Sequence, residues 1–192
     1  SNVSKNWNVY EHMPSKRISG SYFERLNLAR ETSIYLNTNR LKVLVVNPYY
    51  GGSLPTAKYC VRALNDMGHH AESVECEKFA EGFFYSNKIT RNKTNAEAIS
   101  NQFVRFMGQL IAARAADFQP DMILALAQAP LTPEAIKNLK LLNIPVAFWF
   151  VEDFRVLKYW KEIASSYDYF FAIQRGQFFE ELKSAGAKNY YY

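Results

Sequence analysis

Leu41-Lys42-Val43-Leu44-Val45-Val46-Asn47-Pro48 is an apolar, largely β-branched run that ends in a turn. Such a run is typical of a strand inside a parallel sheet, because both faces of that strand are buried. The loop Tyr49-Tyr50-Gly51-Gly52-Ser53 follows, and then a helix is predicted as far as Met67. A second strand is predicted over residues 71–76. The main domain therefore begins with a strand–helix–strand unit.

The same alternation continues to the end of the chain. Further strands are predicted over residues 122–127, 146–150, 169–173 and 189–192. Helices are predicted over residues 95–116, 133–142, 154–166 and 176–184. Strands that alternate with helices at this spacing form a parallel sheet covered on both faces. The sequence therefore predicts an α/β fold, a Rossmann-like three-layer sandwich with a mainly parallel sheet, over residues 41–192.

Residues 1–40 precede this domain, and we interpret them as a helical N-terminal arm. Phe23, Leu26 and Ile34 recur at helical spacing and form one apolar stripe. We expect the stripe to pack on an apolar surface of the same chain or of a second copy. The second arrangement would make the protein a homodimer. At the other end, a strand is predicted over residues 189–192 with no turn after it. We therefore expect this chain to be a fragment of a longer protein.

Composition excludes several classes of protein. The longest apolar run, residues 144–151, is far shorter than the roughly 20 residues that span a bilayer. The net charge is +5, but residues 1–40 hold six basic and three acidic side chains, which leaves 17 basic and 15 acidic over the rest. No clustered basic stripe is present, so a nucleic-acid partner is not expected. Cys60 and Cys76 match neither a disulfide framework nor a zinc site, so we expect a cytoplasmic protein without a bound metal.

The loop after the first strand is the first candidate binding site, since open α/β sheets bind ligands at the carboxyl ends of their strands. Two adjacent glycines let the backbone approach a ligand, and the next helix begins there. The candidate substrate-binding residues in this loop are Tyr50, Gly51, Gly52 and Ser53. The spacing fits neither G-x-G-x-x-G nor a Walker A loop, so no bound dinucleotide cofactor is expected. Ser53 or Thr56 is the predicted cap of the helix.

Polar residues follow two later strands at the same edge of the sheet. Gln128 can donate and accept hydrogen bonds at once, which suits a sugar hydroxyl as well as the backbone of its own loop. Glu152 and Asp153 follow directly on the apolar strand 146–151, and paired acids in a partly desolvated cleft can supply a general base. We name both as candidate catalytic residues. The alternative for Asp153 is to cap a helix that begins at Phe154.

The segment 83–93 combines aromatic residues with three cations and no acid. Such a composition is compatible with peripheral contact to a membrane surface or to an anionic acceptor lipid. It is equally compatible with a solvated loop whose aromatic side chains turn inward.

Two groups of these segments resemble a known family. Residues 41–47, the motif Tyr50-Gly51-Gly52-Ser53 and the helix end Leu64-Asn65-Asp66-Met67-Gly68-His69 resemble the N-terminal half of GT-B glycosyltransferases. Residues 144–153, followed by Tyr167-Asp168-Tyr169-Phe170-Phe171, are similar to spore-maturation-type (CgeB-like) glycosyltransferase-related proteins. The resemblance covers residues 41–192.

The resemblance implies the acceptor-side domain of a sugar transferase. The acceptor hydroxyl would bind here, and a C-terminal half outside this sequence would bind the nucleotide sugar. The family supplies no catalytic residue for this half, so Glu152 and Asp153 rest on the residues alone. The alternative is a non-catalytic Rossmann-like module that binds a small ligand or a partner protein. A nicotinamide-dependent oxidoreductase is disfavoured by the loop after the first strand.

Overall fold

The computed structural model describes residues 40–192, in which six strands form one parallel sheet with the order β2-β1-β3-β4-β5-β6. The strands are β1 (Lys42–Val46), β2 (His70–Val74), β3 (Met122–Leu126), β4 (Val146–Phe150), β5 (Tyr169–Ala172) and β6 (Tyr190–Tyr191). Every neighbouring pair is parallel. The predicted α/β, Rossmann-like fold is confirmed. The predicted arm, with its Phe23, Leu26 and Ile34 stripe, lies outside the described residues.

Helices connect the strands, as parallel pairing requires. The α-helices of the described part are α1 (Ser53–Asp66), α2 (Ala80–Ser86), α3 (Lys93–Phe118), α4 (Pro133–Leu141), α5 (Trp160–Ile163) and α6 (Gln177–Ser184). Short 3₁₀ helices cover Cys76–Phe79 and Ala164–Ser166. Over residues 40–192, no helix has the length and the apolar character needed to cross a membrane.

The core is divided between the two faces of the sheet. On one face, Ala57 of α1 packs against Val43 and Val45 of β1. On the other face, buried side chains of α3, α4, α5 and α6 form one cluster with alternate strand residues such as Phe148 and Phe150. Because β4 is buried on both faces, its sequence is apolar at every position.

The predicted helix over residues 154–166 is wrong in its first half. In the structure α5 begins only at Trp160. The backbone N–H of Phe154 donates to Gln174 Oε1 at 3.1 Å, and the carbonyl of Phe154 accepts from Trp160 Nε1 at 3.1 Å. The Trp160 indole has therefore taken the carbonyl that would accept the first hydrogen bond of a helix begun at Phe154. Asp153 consequently caps no helix.

The segment 83–93 was predicted as a loop, but it begins inside the short helix α2. Phe83 turns inward and stacks on Tyr49, with 4.7 Å between the ring centroids. Phe84 and Tyr85 are exposed. Because α2 has seven residues and no side-chain cap, it leaves little periodicity to detect in the sequence.

Candidate functional site

The direction of the strand order changes at β1, which lies between β2 and β3. In open α/β sheets this switch point opens a crevice at the carboxyl ends of the strands. The residues that follow β1, β3 and β4 therefore lie around one edge of the sheet. They include the loop 49–53, Gln128 and Glu152.

Gly51 and Gln128 approach each other closely at this edge. A Cβ atom at Gly51 would lie 2.7 Å from Gln128 Oε1, so the Gln128 amide would have to move. The φ of Gly51 is +96°, and this backbone conformation is what favours glycine here. Gln128 itself has a φ of 67°, which is uncommon for a residue with a side chain. Its backbone N–H donates to the Tyr159 hydroxyl at 2.8 Å, a contact that holds this conformation.

A hydrogen bond connects Ser53, at the start of α1, with Glu152, which follows β4. Ser53 Oγ donates to Glu152 Oε1 at 3.1 Å, although the residues are 99 positions apart in the sequence. Ser53 is fully buried, whereas Glu152 is half-buried. The other carboxylate oxygen of Glu152 accepts no hydrogen bond from residues 40–192. Glu152 is therefore held on its buried side and open on the other.

Neither Ser53 nor Thr56 caps α1, in contrast to the sequence-based expectation. The N-cap is Gly52, and no side chain donates or accepts a capping hydrogen bond there. The Ser53 hydroxyl is engaged with Glu152 instead, because Ser53 has already entered the first turn of the helix.

Tyr159 also belongs to this site, and the sequence analysis missed it. Burial raises the pKa of Tyr159 to about 12, the hydrogen bond from the Gln128 backbone opposes that shift, and the nearby charge of Glu152 adds to it. The hydroxyl is therefore neutral at physiological pH. We call Gly51, Ser53, Gln128, Glu152 and Tyr159 the crevice cluster.

Asp153 does not join the crevice cluster through any of its hydrogen bonds. Its Oδ1 accepts from the backbone N–H and the Nε of Arg155 at 2.9 and 3.0 Å, and its Oδ2 accepts from the guanidinium at 2.6 Å. A carboxylate paired in this way is a poor proton acceptor. Of the two acids predicted as catalytic, Glu152 is the one that the fold brings to Ser53.

The pKa of the Asp153 carboxyl group is expected near 2. The hydrogen bond from the Arg155 side chain is the main cause, supported by the Arg155 backbone N–H. A carboxyl group with a depressed pKa stabilises the folded state above its unfolded pKa of about 4, and this contribution is lost as the pH falls toward the folded pKa. In an NMR titration, Arg155→Ala should return the midpoint of Asp153 toward about 4. Arg91→Ala, the matched control, should not; an unmoved midpoint in Arg155→Ala would contradict the assignment.

A second pair of polar residues lies on the β1–β2 side and was not among the predicted site residues. Asn47, fully buried, donates from Nδ2 to Glu77 Oε2 at 3.1 Å, and Lys58 Nζ lies 3.2 Å from Glu77 Oε1. Burial alone would raise the pKa of Glu77, but the hydrogen bonds from Asn47 and from its own backbone, with Lys58, hold it below the usual range. Asn47 Oδ1 is buried and has no hydrogen-bond partner among residues 40–192. The position of Asn47 directly after β1 was the signal that could have revealed it.

Tyr50 and Gly52, the remaining predicted binding residues, flank the crevice cluster. Tyr50 is half-exposed, and its ring lies 5.0 Å from that of Phe84. A Cβ atom at Gly52 would meet nothing within 4 Å. Tyr50 and Gly52 are thus accessible but make no hydrogen bond to the cluster through their side chains.

The two adjacent glycines are expected to respond differently to alanine. Gly51→Ala combines a backbone conformation unfavourable for alanine with the 2.7 Å contact to Gln128, and should cost about 1–3 kcal/mol of unfolding free energy. Gly52→Ala, at a φ of −67° and in open space, should change the unfolding free energy by less than about 1 kcal/mol, because the lower entropy of the unfolded chain is offset by the poor N-cap preference of alanine. Urea denaturation of both variants checks this. Equal costs would mean that Gly51 does not adopt the positive φ described.

Residues 40–192 contain no cluster of three or more His, Cys, Asp or Glu side chains that could hold a metal ion. Comparison of the chain with protein-family models, with curated proteins and with solved structures finds no match.

Proposed function

We propose that this chain is the acceptor-side domain of a glycosyltransferase, in which the crevice cluster binds an acceptor hydroxyl. The observation that carries the proposal is the Ser53–Glu152 hydrogen bond, which fixes a half-buried carboxylate at the switch point and leaves one of its oxygens open. A carboxylate in this position is suited to general-base catalysis.

The chemistry would proceed by direct transfer of a proton. The acceptor hydroxyl donates to Glu152 Oε2, and its proton moves to that oxygen as the hydroxyl oxygen forms a bond to the anomeric carbon. The nucleotide diphosphate leaves with the electron pair of the bond that breaks. Ser53 holds Glu152 in place, and the Gln128 amide nitrogen, which donates to no residue of the described part, is free to orient the acceptor.

The other substrate would be a nucleotide sugar. The resemblance to GT-B enzymes implies that a separate half of the protein binds it, so the contribution of this chain would be acceptor binding and proton transfer. No metal or organic cofactor is needed for the step as proposed.

Acceptor binding can be tested on the 192-residue chain itself. Titration with a panel of mono- and disaccharides, followed by amide NMR, should shift the signals of Gly51, Gly52 and Gln128. Gln128→Ala should lower the affinity for the sugar that binds by about tenfold, the size expected for the loss of one hydrogen bond. Lys137→Ala, a change at an exposed position on α4, is the control. Absence of shifts at these amides with every sugar would overturn the proposal.

A non-catalytic ligand-binding module is the second candidate, and one observation favours it. Asn47 Oδ1 and Gln128 Oε1 are both buried acceptors without a partner, and they lie after neighbouring strands at the switch point. A ligand that supplies hydrogen-bond donors could satisfy them with no chemistry at Glu152. Binding that is unaffected by Glu152→Gln, without transfer in the protein that contains both halves, would favour this second function.

A further inference from the structure

A continuous row of aromatic rings runs from the site loop across the adjacent helices. The Tyr50 ring lies 5.0 Å from Phe84 of α2, Phe84 lies 5.7 Å from Phe83, and Phe83 lies 5.5 Å from Phe103 of α3. Phe106 continues the row, 6.3 Å from Phe103. Tyr50, Phe84 and Phe106 are each more than one third exposed. The row therefore lies at the surface beside the crevice.

Two further exposed apolar side chains lie in the same segment of the chain as Phe84. Tyr85 is 69% exposed, and Ile89, in the turn after α2, is 65% exposed. Contiguous apolar side chains on a protein surface usually mark a contact with another molecule. We call Tyr50, Phe84, Tyr85, Ile89 and Phe106 the aromatic patch.

Three cations lie next to the aromatic patch. Lys88, Arg91 and Lys93 are exposed, and residues 82–96 contain no acidic residue. Within the part of the chain that the structure describes, none of the three side chains forms an ion pair, a hydrogen bond or a cation–π contact. Their charges are therefore available to an external anion.

We propose that the aromatic patch, with Lys88, Arg91 and Lys93, is a docking surface for an anionic lipid bilayer. Tyrosine and phenylalanine rings with an isoleucine suit the boundary between headgroups and acyl chains, and the cations suit the lipid phosphates and carboxylates.

The positive charge of this surface argues against two other partners, a second copy of the chain and residues 1–40. A second copy of the chain would bring two such cationic surfaces together across a two-fold axis, with the like charges facing each other. Residues 1–40 also carry more basic than acidic side chains, which makes them a poor partner for a cationic surface. An acidic protein is the competing partner, and the experiment below separates it from a membrane.

Docking would place the crevice beside the bilayer, because Tyr50 belongs to both the site loop and the aromatic patch. The proposal does not depend on sugar transfer: it rests on exposed rings and unpaired cations and holds for either function proposed above.

Vesicle co-sedimentation of the 192-residue chain tests the proposal. The chain should bind phosphatidylcholine vesicles that contain phosphatidylserine, bind pure phosphatidylcholine much more weakly, and be released by added salt. The triple change Lys88→Ala, Arg91→Ala and Lys93→Ala should weaken partition on the order of 100-fold, because each cation near an anionic surface contributes about fivefold. Tyr85→Ser with Ile89→Ser should weaken it about tenfold or more.

The matched control is Tyr59→Ser with Leu141→Ser, two side chains that are equally exposed outside the aromatic patch. This variant should sediment like the unmodified chain, and circular dichroism should show all variants folded. Failure of the unmodified chain to bind phosphatidylserine vesicles would overturn the proposal and leave an acidic protein as the partner. Equal losses in the control and in the patch variants would overturn it as well.

Discussion

Glu152→Gln is expected to lower the rate of sugar transfer by a factor on the order of 10²–10⁴, because an amide cannot take the proton of the acceptor hydroxyl. The substitution preserves the shape of the side chain, and the amide oxygen can still accept from Ser53 Oγ. Folding should therefore change little. Acceptor binding should weaken by no more than about tenfold, because the amide nitrogen at the Oε2 position cannot accept from the acceptor hydroxyl. The measurement is transfer from a labelled nucleotide sugar by the two-half protein that the proposed function implies, with kcat and KM determined separately.

Two control variants make the Glu152 result interpretable. Asp153→Asn should keep most of the rate, because the Asp153 carboxylate is engaged with Arg155. Glu97→Gln, an exposed position on α3, should have no effect. If Glu152→Gln keeps the full rate, Glu152 is structural, and the base must be sought in the loop 49–53, at Gln128 or in the second half that the proposed function implies.

Phe178→Ala is expected to be the most destabilising change on α6, with a cost of about 3–5 kcal/mol of unfolding free energy. Phe178 is fully buried, and its ring stacks on Phe154 at 4.7 Å and meets Trp160 edge-on at 4.8 Å. It also contacts Phe150 and Phe170. Removing this ring leaves a cavity that four large aromatic side chains cannot close. Since a domain of this kind has about 5–15 kcal/mol in total, the variant should unfold at much lower urea concentration.

The neighbouring residue provides the matched control. Phe179 is only half-buried and contacts Tyr190 at 5.1 Å, so Phe179→Ala should cost about 1–2 kcal/mol. Urea denaturation followed by circular dichroism compares the two variants under identical conditions. Equal costs would show that the aromatic cluster between α5, α6 and the sheet does not pack as described.

Strands β3, β4 and β5 were predictable because each is apolar at every position, which indicates burial. The interval 146–150 is apolar at every position, and it coincides with β4. The glycines at 51 and 52 marked the loop after β1, and the alternation of strands with helices was enough to predict the parallel sheet. Burial follows from composition over a few neighbouring residues, so the fold class was available from local patterns. The roles of Glu152, Gln128 and the loop 49–53 stay predictions.

Contacts between distant parts of the chain decided the rest. Ser53 is hydrogen-bonded to Glu152, which lies 99 residues away in the sequence. The sequence around Ser53 is equally compatible with a helix cap, so it could not predict this bond. The Trp160 indole takes the carbonyl of Phe154, which a helix from residue 154 would use, and the helix begins only at residue 160. The backbone of Gln128 is stabilised by Tyr159, from a different crossover. Side-chain hydrogen bonds depend on which strands become neighbours, whereas periodicity depends only on the residues of one element.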